Sequence, residues 1–156
     1  MDGGTPMGGP ARTVFRPRRG RLVVYASALA VCTTLVVIAL LLPSSGASGW
    51  GVGSQAAVIL MALGVGWFMH RLAAVRVVAA PAGVTVVNIL TRRQLEWAEI
   101  VGVRLLRDDP WMMLDLAEGE QLAAMGVQKA DGERAQEQAR AFARMVNEHS
   151  RTTRND

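Results

Sequence analysis

Two adjacent arginines, Arg92 and Arg93, stand ahead of a tryptophan, a glutamate and an isoleucine in the run LTRRQLEWAEIVGVRL, residues 90 to 105. Neighbouring guanidiniums can hold phosphate or carboxylate, so the run offers three readings: a reactive site, a nucleic-acid grip or a packing signature. The rest of the chemical inventory is thin. Asp115, Glu118 and Glu120 surround one turn, where close carboxylates can do acid and base work, but a solvated turn accounts for them more simply. His70 adjoins an apolar run and His149 lies near the end of a helical pattern, so neither joins a nucleophile and an acid in a triad. Cys32 is the single cysteine and offers neither a disulfide nor a CxxC metal pattern. The glycines form no GxGxxG or GxxxxGKS loop. The expectation is no catalytic residue, no cofactor and no metal.

The formal charge of +4 invites a nucleic-acid partner until the charges are located. Residues 1–21 hold five arginines and one aspartate, whereas residues 71–156 hold 12 basic and 12 acidic residues and are neutral. The excess therefore belongs to a short arm beside an apolar segment, not to a folded face that tracks phosphates, and no nucleic acid is expected. Lys129 is the only lysine among 17 basic residues, so arginine richness by itself carries little information.

The elements that must position these side chains begin with two apolar runs. Leu22 to Leu42 is 21 residues without a charge, 12 of them Leu, Val or Ile, and about 20 suffice to cross a bilayer as a helix. Trp50 to Met69 is diluted by glycine but carries no charge over 20 residues. These define transmembrane helix 1 at 22–42 and helix 2 at 50–70, joined by an external loop at 43–49. So short a loop makes the pair an antiparallel hairpin. Small residues at four-residue spacing, Ala26 with Ala30 and Ala62 with Gly66, would let the backbones approach. A cleaved signal peptide would share the basic start of the first run, yet signal cores are shorter, about 7 to 15 residues, and no second run follows them so closely.

Orientation follows from the arginines, which are retained on the cytoplasmic side. Arg12, Arg16, Arg18, Arg19 and Arg21 precede the first run, Arg71 and Arg76 follow the second, and the loop between has no basic residue. Both termini are expected in the cytoplasm, with Trp50 and Trp67 in the two interfacial belts. Residues 1–21, rich in Gly, Pro and Arg, are expected to be a disordered arm, and 151–156 a disordered tail.

From Val75 the pattern becomes short β-branched runs broken by turn residues. VRVVAA, GVTVVNIL, QLEW, VGVRLLR, PWMMLDLA and QLAAMGVQ give six strands, with turns at Pro81-Ala82-Gly83, Thr91-Arg92-Arg93, Asp108-Asp109-Pro110 and Glu118-Gly119. The period then changes to that of one amphipathic helix, capped by Asp131 and presenting Ala135, Ala139, Phe142 and Val146 on one face. A unit of about 75 residues buries little surface, so its large apolar residues must pack. Trp97 and Ile100, three apart, can point one way through a helical turn and fill a barrel. Together with Trp111, Leu114, Leu116 and Phe142 they form the expected core, and the opening run is read as turn, strand, core tryptophan, strand.

Two close spans followed by GVTVVN, an arginine-bearing turn, LEWAEIVGVR, PWMMLDLAEGE and a terminal helix resemble the bacterial PH-like domain family that includes low molecular weight protein antigen 6. The resemblance covers roughly residues 20 to 150 and implies an α+β fold: a transmembrane helical hairpin, then, over 71–150, a split antiparallel β-barrel of seven strands capped by a C-terminal helix. It implies no catalytic activity. The phosphoinositide grip of many PH domains is not carried over, because that grip uses basic residues at the first hairpin and Pro81-Ala82-Gly83 has none.

The expected function is thus a membrane-anchored, non-catalytic binding or adaptor module facing the cytoplasm, with an unidentified protein partner. An exposed strand edge or the trough between helix and sheet would take a peptide. The alternatives are a small structural subunit of a larger membrane complex, or an anionic-lipid-binding domain in which Arg92, Arg93, Arg104 and Arg107 form the candidate surface.

Overall fold

The structure, a computed structural model, describes residues 12–41, 51–106 and 108–154. It divides into two units: residues Arg18–Ala74, and the segment up to Pro17 taken with everything from Val75 onward.

The first unit is a pair of helices, α1 (Arg19–Leu41) and α2 (Val52–Ala73). Both are long and apolar enough to cross a membrane, and only 6% of either apolar window is buried, unlike a helix in a soluble core. Each extends about one turn beyond its uncharged run to take in Arg19, Arg21 and Arg71. Leu22, Leu29, Leu40, Leu60, Leu63 and Trp67 point outward. The inward stripe on α1 runs through Ala28, Cys32, Leu35 and Ala39, and that on α2 through Val58, Ala62, Val65 and Met69. Cys32 Sγ donates to the Ala62 carbonyl at 3.4 Å, and a Cβ on Gly66 would stand only 3.5 Å from that sulfur. The small pair expected on α2 is therefore in the contact. The pair expected on α1 is not: Ala26 and Ala30 are exposed, because the stripe follows positions 28, 32, 35 and 39. Residues 43–49 and Trp50 lie outside the described residues.

Among its described residues the second unit holds seven strands and a helix. A four-stranded antiparallel sheet has the order β1 (Thr13–Phe15), β2 (Arg76–Ala80), β3 (Gly83–Val87), β4 (Arg92–Leu95). A three-stranded one follows, β5 (Ile100–Arg104), β6 (Trp111–Leu116), β7 (Gln121–Gln128). A 3-10 turn, Trp97–Glu99, joins the sheets, closed by a reciprocal cap in which the Glu99 carboxylate accepts from the Glu96 backbone N–H at 2.6 Å. At the far corner β7 crosses β2, and a Cβ on Gly126 would lie 2.6 Å from the Val77 nitrogen. Only glycine permits that approach.

The expected sixfold count thus lacked β1, and the arm read as disordered supplies it. Thr13, Val14 and Phe15 pair with Ala79, Val78 and Val77. Strand alternation explains the register. Val77 and Ala79 on β2 and Val84 and Val86 on β3 face the core, while Arg76, Val78, Thr85 and Val87 face out. The two membrane-length helices are consequently an insertion in the β1–β2 connection. Pro81-Ala82-Gly83 is the second reversal of the barrel, not the first, so its lack of basic residues no longer argues against a phosphoinositide ligand. The first connection carries Arg16, Arg18, Arg19, Arg21 and Arg71.

Helix α3 (Glu133–Arg154) closes the barrel with Ala135, Ala139, Phe142 and Val146, the face its periodicity predicts. It runs on through Arg154, so most of the expected tail is helical. Asp131, itself buried, ends a 3-10 turn (Lys129–Asp131) just before it and is not the residue adjoining the helix. Phe142, fully buried, meets Phe15 edge-on at 5.8 Å and Trp97 at 6.1 Å. Full burial of such a side chain contributes about 1.5 to 3 kcal/mol. Trp97, Ile100, Leu114 and Leu116 are in the core as expected. Trp111 is not: in β6 it shares the outer face with Met113 and Asp115 and is only half-buried.

Candidate functional site

The three described arginines of the expected surface, Arg92, Arg93 and Arg104, do not form one patch. Arg92 and Arg93 are the first residues of β4, opposite Val87 and Val86, because the reversal closes earlier, where Asn88 N–H donates to the Thr91 carbonyl at 2.9 Å. Alternation then sends them to opposite faces. Arg93 leans inward over the barrel rim and donates to Glu120 at 2.6 Å. The hydrogen bond first, and the opposite charge second, hold the Glu120 carboxyl below its usual range and push the Arg93 guanidinium up. Arg104 pairs with Asp115 at 2.9 Å, both partners about one-third exposed. Gly102 makes room for that pair, since a Cβ there would meet the Asp115 carboxylate at 2.9 Å. Arg107 lies outside the described residues.

The acidic cluster of the β6–β7 turn is accounted for in the same way. Asp115 and Glu120 each serve an arginine, and Glu118 is exposed. Among the described residues no three His, Cys, Asp or Glu side chains gather as metal ligands. His149, near the end of α3, is packed: its ring lies on that of Trp97, with centroids 4.2 Å apart and planes 12° from parallel. Trp97 in turn donates its indole N–H to the Ala80 carbonyl at 2.9 Å. This is a packing chain rather than a reaction centre.

Among the described residues, two concave surfaces bear on the site. One covers the outer face of the four-stranded sheet, about 460 Å³, edged by Arg12, Arg76 and Arg92 with Thr85 and Gln94 between. Arg12 and Arg76 were noticed in the sequence only as orientation signals, because their convergence with Arg92 depends on β1 joining the sheet. The other is a trough of about 310 Å³ between α3 and β5, lined by Val103, Leu105, Gln136, Ala139, Arg140 and Ala143. β5 is the edge strand of its sheet, pairing with β6 alone among the described strands. The trough therefore unites an open strand edge and a helix flank, the two features a docking peptide uses.

The family model described as Bacterial PH domain matches residues 74–144. The chain is also 32% identical over 124 residues to the uncharacterized proteins Mb1452 of Mycobacterium bovis and Rv1417 of Mycobacterium tuberculosis strain H37Rv, covering 78% of this chain and 80% of each relative. It belongs to the bacterial PH domain family. No solved structure matches it significantly. The match to the bacterial PH domain starts at Ala74, so β1 and the helical pair lie outside it, as does His149. Within the PH domain of this chain the α3–β5 trough lies wholly inside the matched residues.

Proposed function

We propose that this protein is a two-pass, membrane-anchored PH-like adaptor, non-catalytic and facing the cytoplasm, that takes an extended segment of a protein partner in the α3–β5 trough. The observation that carries the reading is the free edge of β5 beside that trough. An added strand would satisfy the unpaired backbone groups of the edge, and apolar side chains at alternate positions would enter between Leu105 and Ala143.

The anchoring half of the reading has its own support. β1 precedes the first membrane-length helix, β2 follows the second, and the two strands pair in one sheet. Spans flanked by paired strands must return to the side they left. Cleavage after the first span would remove β1, which disfavours a signal peptide. The flanking arginines then favour the cytoplasm as that side.

A photocrosslinking side chain at Gln136, in the trough, should yield a discrete adduct in intact cells. One at Glu137, exposed outside the trough, should not, and Ala143→Trp should abolish the Gln136 adduct. Equal adducts from both sites, or persistence in Ala143→Trp, would remove the trough from the proposal. A stoichiometric integral-membrane companion in mild detergent would instead favour the structural-subunit alternative.

A further inference from the structure

One exposed side chain in the PH domain stands out by its position. Leu90 is 76% exposed, the most exposed large apolar side chain among the described residues of that unit. It occupies the β3–β4 reversal, and that reversal is firmly held. Asn88, almost buried, donates through Nδ2 to the Ala123 carbonyl at 2.7 Å and accepts from the Met125 N–H at 3.2 Å, fastening the turn to β7. A leucine exposed singly needs no explanation, so what gives this one meaning is where in the sheet it is held.

The strand register says which end of the sheet this is. Phe15 pairs with Val77, so the chain leaves β1 and enters β2 at one end. Arg76 pairs with Val87, and Val87 with Arg92, so the turn projects beyond that same end. Both segments that run to the membrane-length helices therefore depart from the end that bears Leu90. The residues fringing it are Arg16, Arg76 and Arg92. The carboxylate that reaches this end, Glu120, is already bonded to Arg93, and Glu118 is its exposed neighbour.

We infer that the β3–β4 turn dips into the leaflet that holds the spans, with Leu90 among the upper acyl chains and Arg92 at the level of anionic headgroups. The inference rests on the membrane-anchored reading above and adds a third, non-covalent attachment to the two chain connections. An apolar tip with basic residues behind it suits the interfacial layer, where acyl chains meet charged headgroups. Holding the domain at three points would fix which face the α3–β5 trough presents to the cytoplasm.

The test uses the full chain with Cys32→Ala, reconstituted in vesicles of phosphatidylcholine with phosphatidylglycerol, and one fluorophore at a time on Leu90→Cys, Leu29→Cys or Ala82→Cys. Leu29 lies on the outer face of α1, and Ala82 lies in the β2–β3 turn at the opposite end of the sheet. Lipids brominated near the headgroup should quench the Leu90 label, lipids brominated deep in the chain should quench the Leu29 label, and neither should quench the Ala82 label. Adding Arg92→Glu should cut the Leu90 quenching by about half or more in anionic vesicles and less in pure phosphatidylcholine. A quenched Leu29 label beside a Leu90 label as unquenched as that at Ala82 overturns the inference and leaves the anchor standing. An unquenched Leu29 label overturns the anchor itself. Quenching at Leu90 that ignores Arg92→Glu removes the headgroup role of that arginine.

Discussion

The imidazole of His149 lies flat against the indole of Trp97, 4.2 Å from centroid to centroid. The contact links the last third of α3 to the 3-10 turn between the sheets, and it continues the chain of rings from Phe15 through Phe142. Ring stacking contributes about 0.5 to 1.5 kcal/mol beyond burial. His149→Ala should therefore lower the unfolding free energy by about 1 kcal/mol and His149→Phe should restore most of it. Trp97→Ala should cost about 3 to 5 kcal/mol, since it empties core volume as well as losing the bond to Ala80. Denaturant titration of the detergent-solubilised chain measures all three, and a His149→Ala protein as stable as its parent would show the stack to be idle.

Gly126 should tolerate no side chain. Gly126→Ala would drive a methyl group to within 2.6 Å of the Val77 nitrogen and 2.7 Å of the Arg76 backbone, where only backbone can give way. A loss of roughly 2 to 3 kcal/mol or more is expected. Gly119, whose φ is +83° but whose Cβ position is open, should lose only about 1 kcal/mol as Gly119→Ala. Thermal melts of the two variants should rank in that order.

The Arg93–Glu120 pair sets a pH dependence of definite sign. The Glu120 carboxyl is held below its usual range, so whatever the pair contributes is present above the ordinary carboxylate pKa, about 4.3, and is lost as pH falls through the lower folded value. Arg93 is shifted the other way, and its contribution fades only at alkaline pH beyond any working range. The pair is about half exposed, so its effect is small. The melting difference between the parent and Glu120→Gln should stay constant from about pH 6 to 8 and shrink below about pH 4. A difference that widens on acidification would contradict the pairing.

A chain cut to begin at Ala74 matches the family model yet lacks β1. It exposes the outer edge of β2 and uncovers the Phe142 ring that Phe15 meets. It should aggregate or lose several kcal/mol of stability, on the order of a Phe→Ala core change, about 3 to 5. Replacing residues 18–74 by a short glycine-rich turn should instead give a soluble, folded domain, because Pro17 and Val75 each lie two residues from the paired Phe15 and Val77. Equal behaviour of the two proteins in size-exclusion chromatography would show β1 to be dispensable.

Much of this architecture was legible in the sequence because its signals are local. The uncharged runs, the alternation in WMMLDL and the stripe through Ala135, Ala139, Phe142 and Val146 each speak through neighbouring residues. The six strands after Val75 follow one another by short reversals. β1 has no such voice: three residues in a Gly, Pro and Arg-rich arm become a strand only against a partner more than 60 positions away. The arginine surface failed for a related reason. Whether Arg92 and Arg93 stand in the reversal or in β4 changes by one or two residues, and that small shift sends them to opposite faces. Trp111 was assigned to the core by its size, while its parity with Asp115 already put it outside. The trough was foreseen in kind, since a terminal helix over a sheet must leave a seam, but its lining depended on knowing that β5 is an edge.

The interruption of the barrel between its first two strands has a consequence for biosynthesis. Phe15 and its partner Val77 are 62 positions apart in the chain. At roughly 5 to 20 residues per second, the ribosome needs roughly 3 to 12 seconds to deliver one after the other. On the membrane-anchored reading proposed above, the helical pair enters the bilayer during that interval. Only a chain that has looped back to the compartment where β1 waits can then close its sheet. On that reading barrel closure distinguishes a completed hairpin from a chain with only one helix across, which is left with β1 and β2 on opposite sides and the seam open.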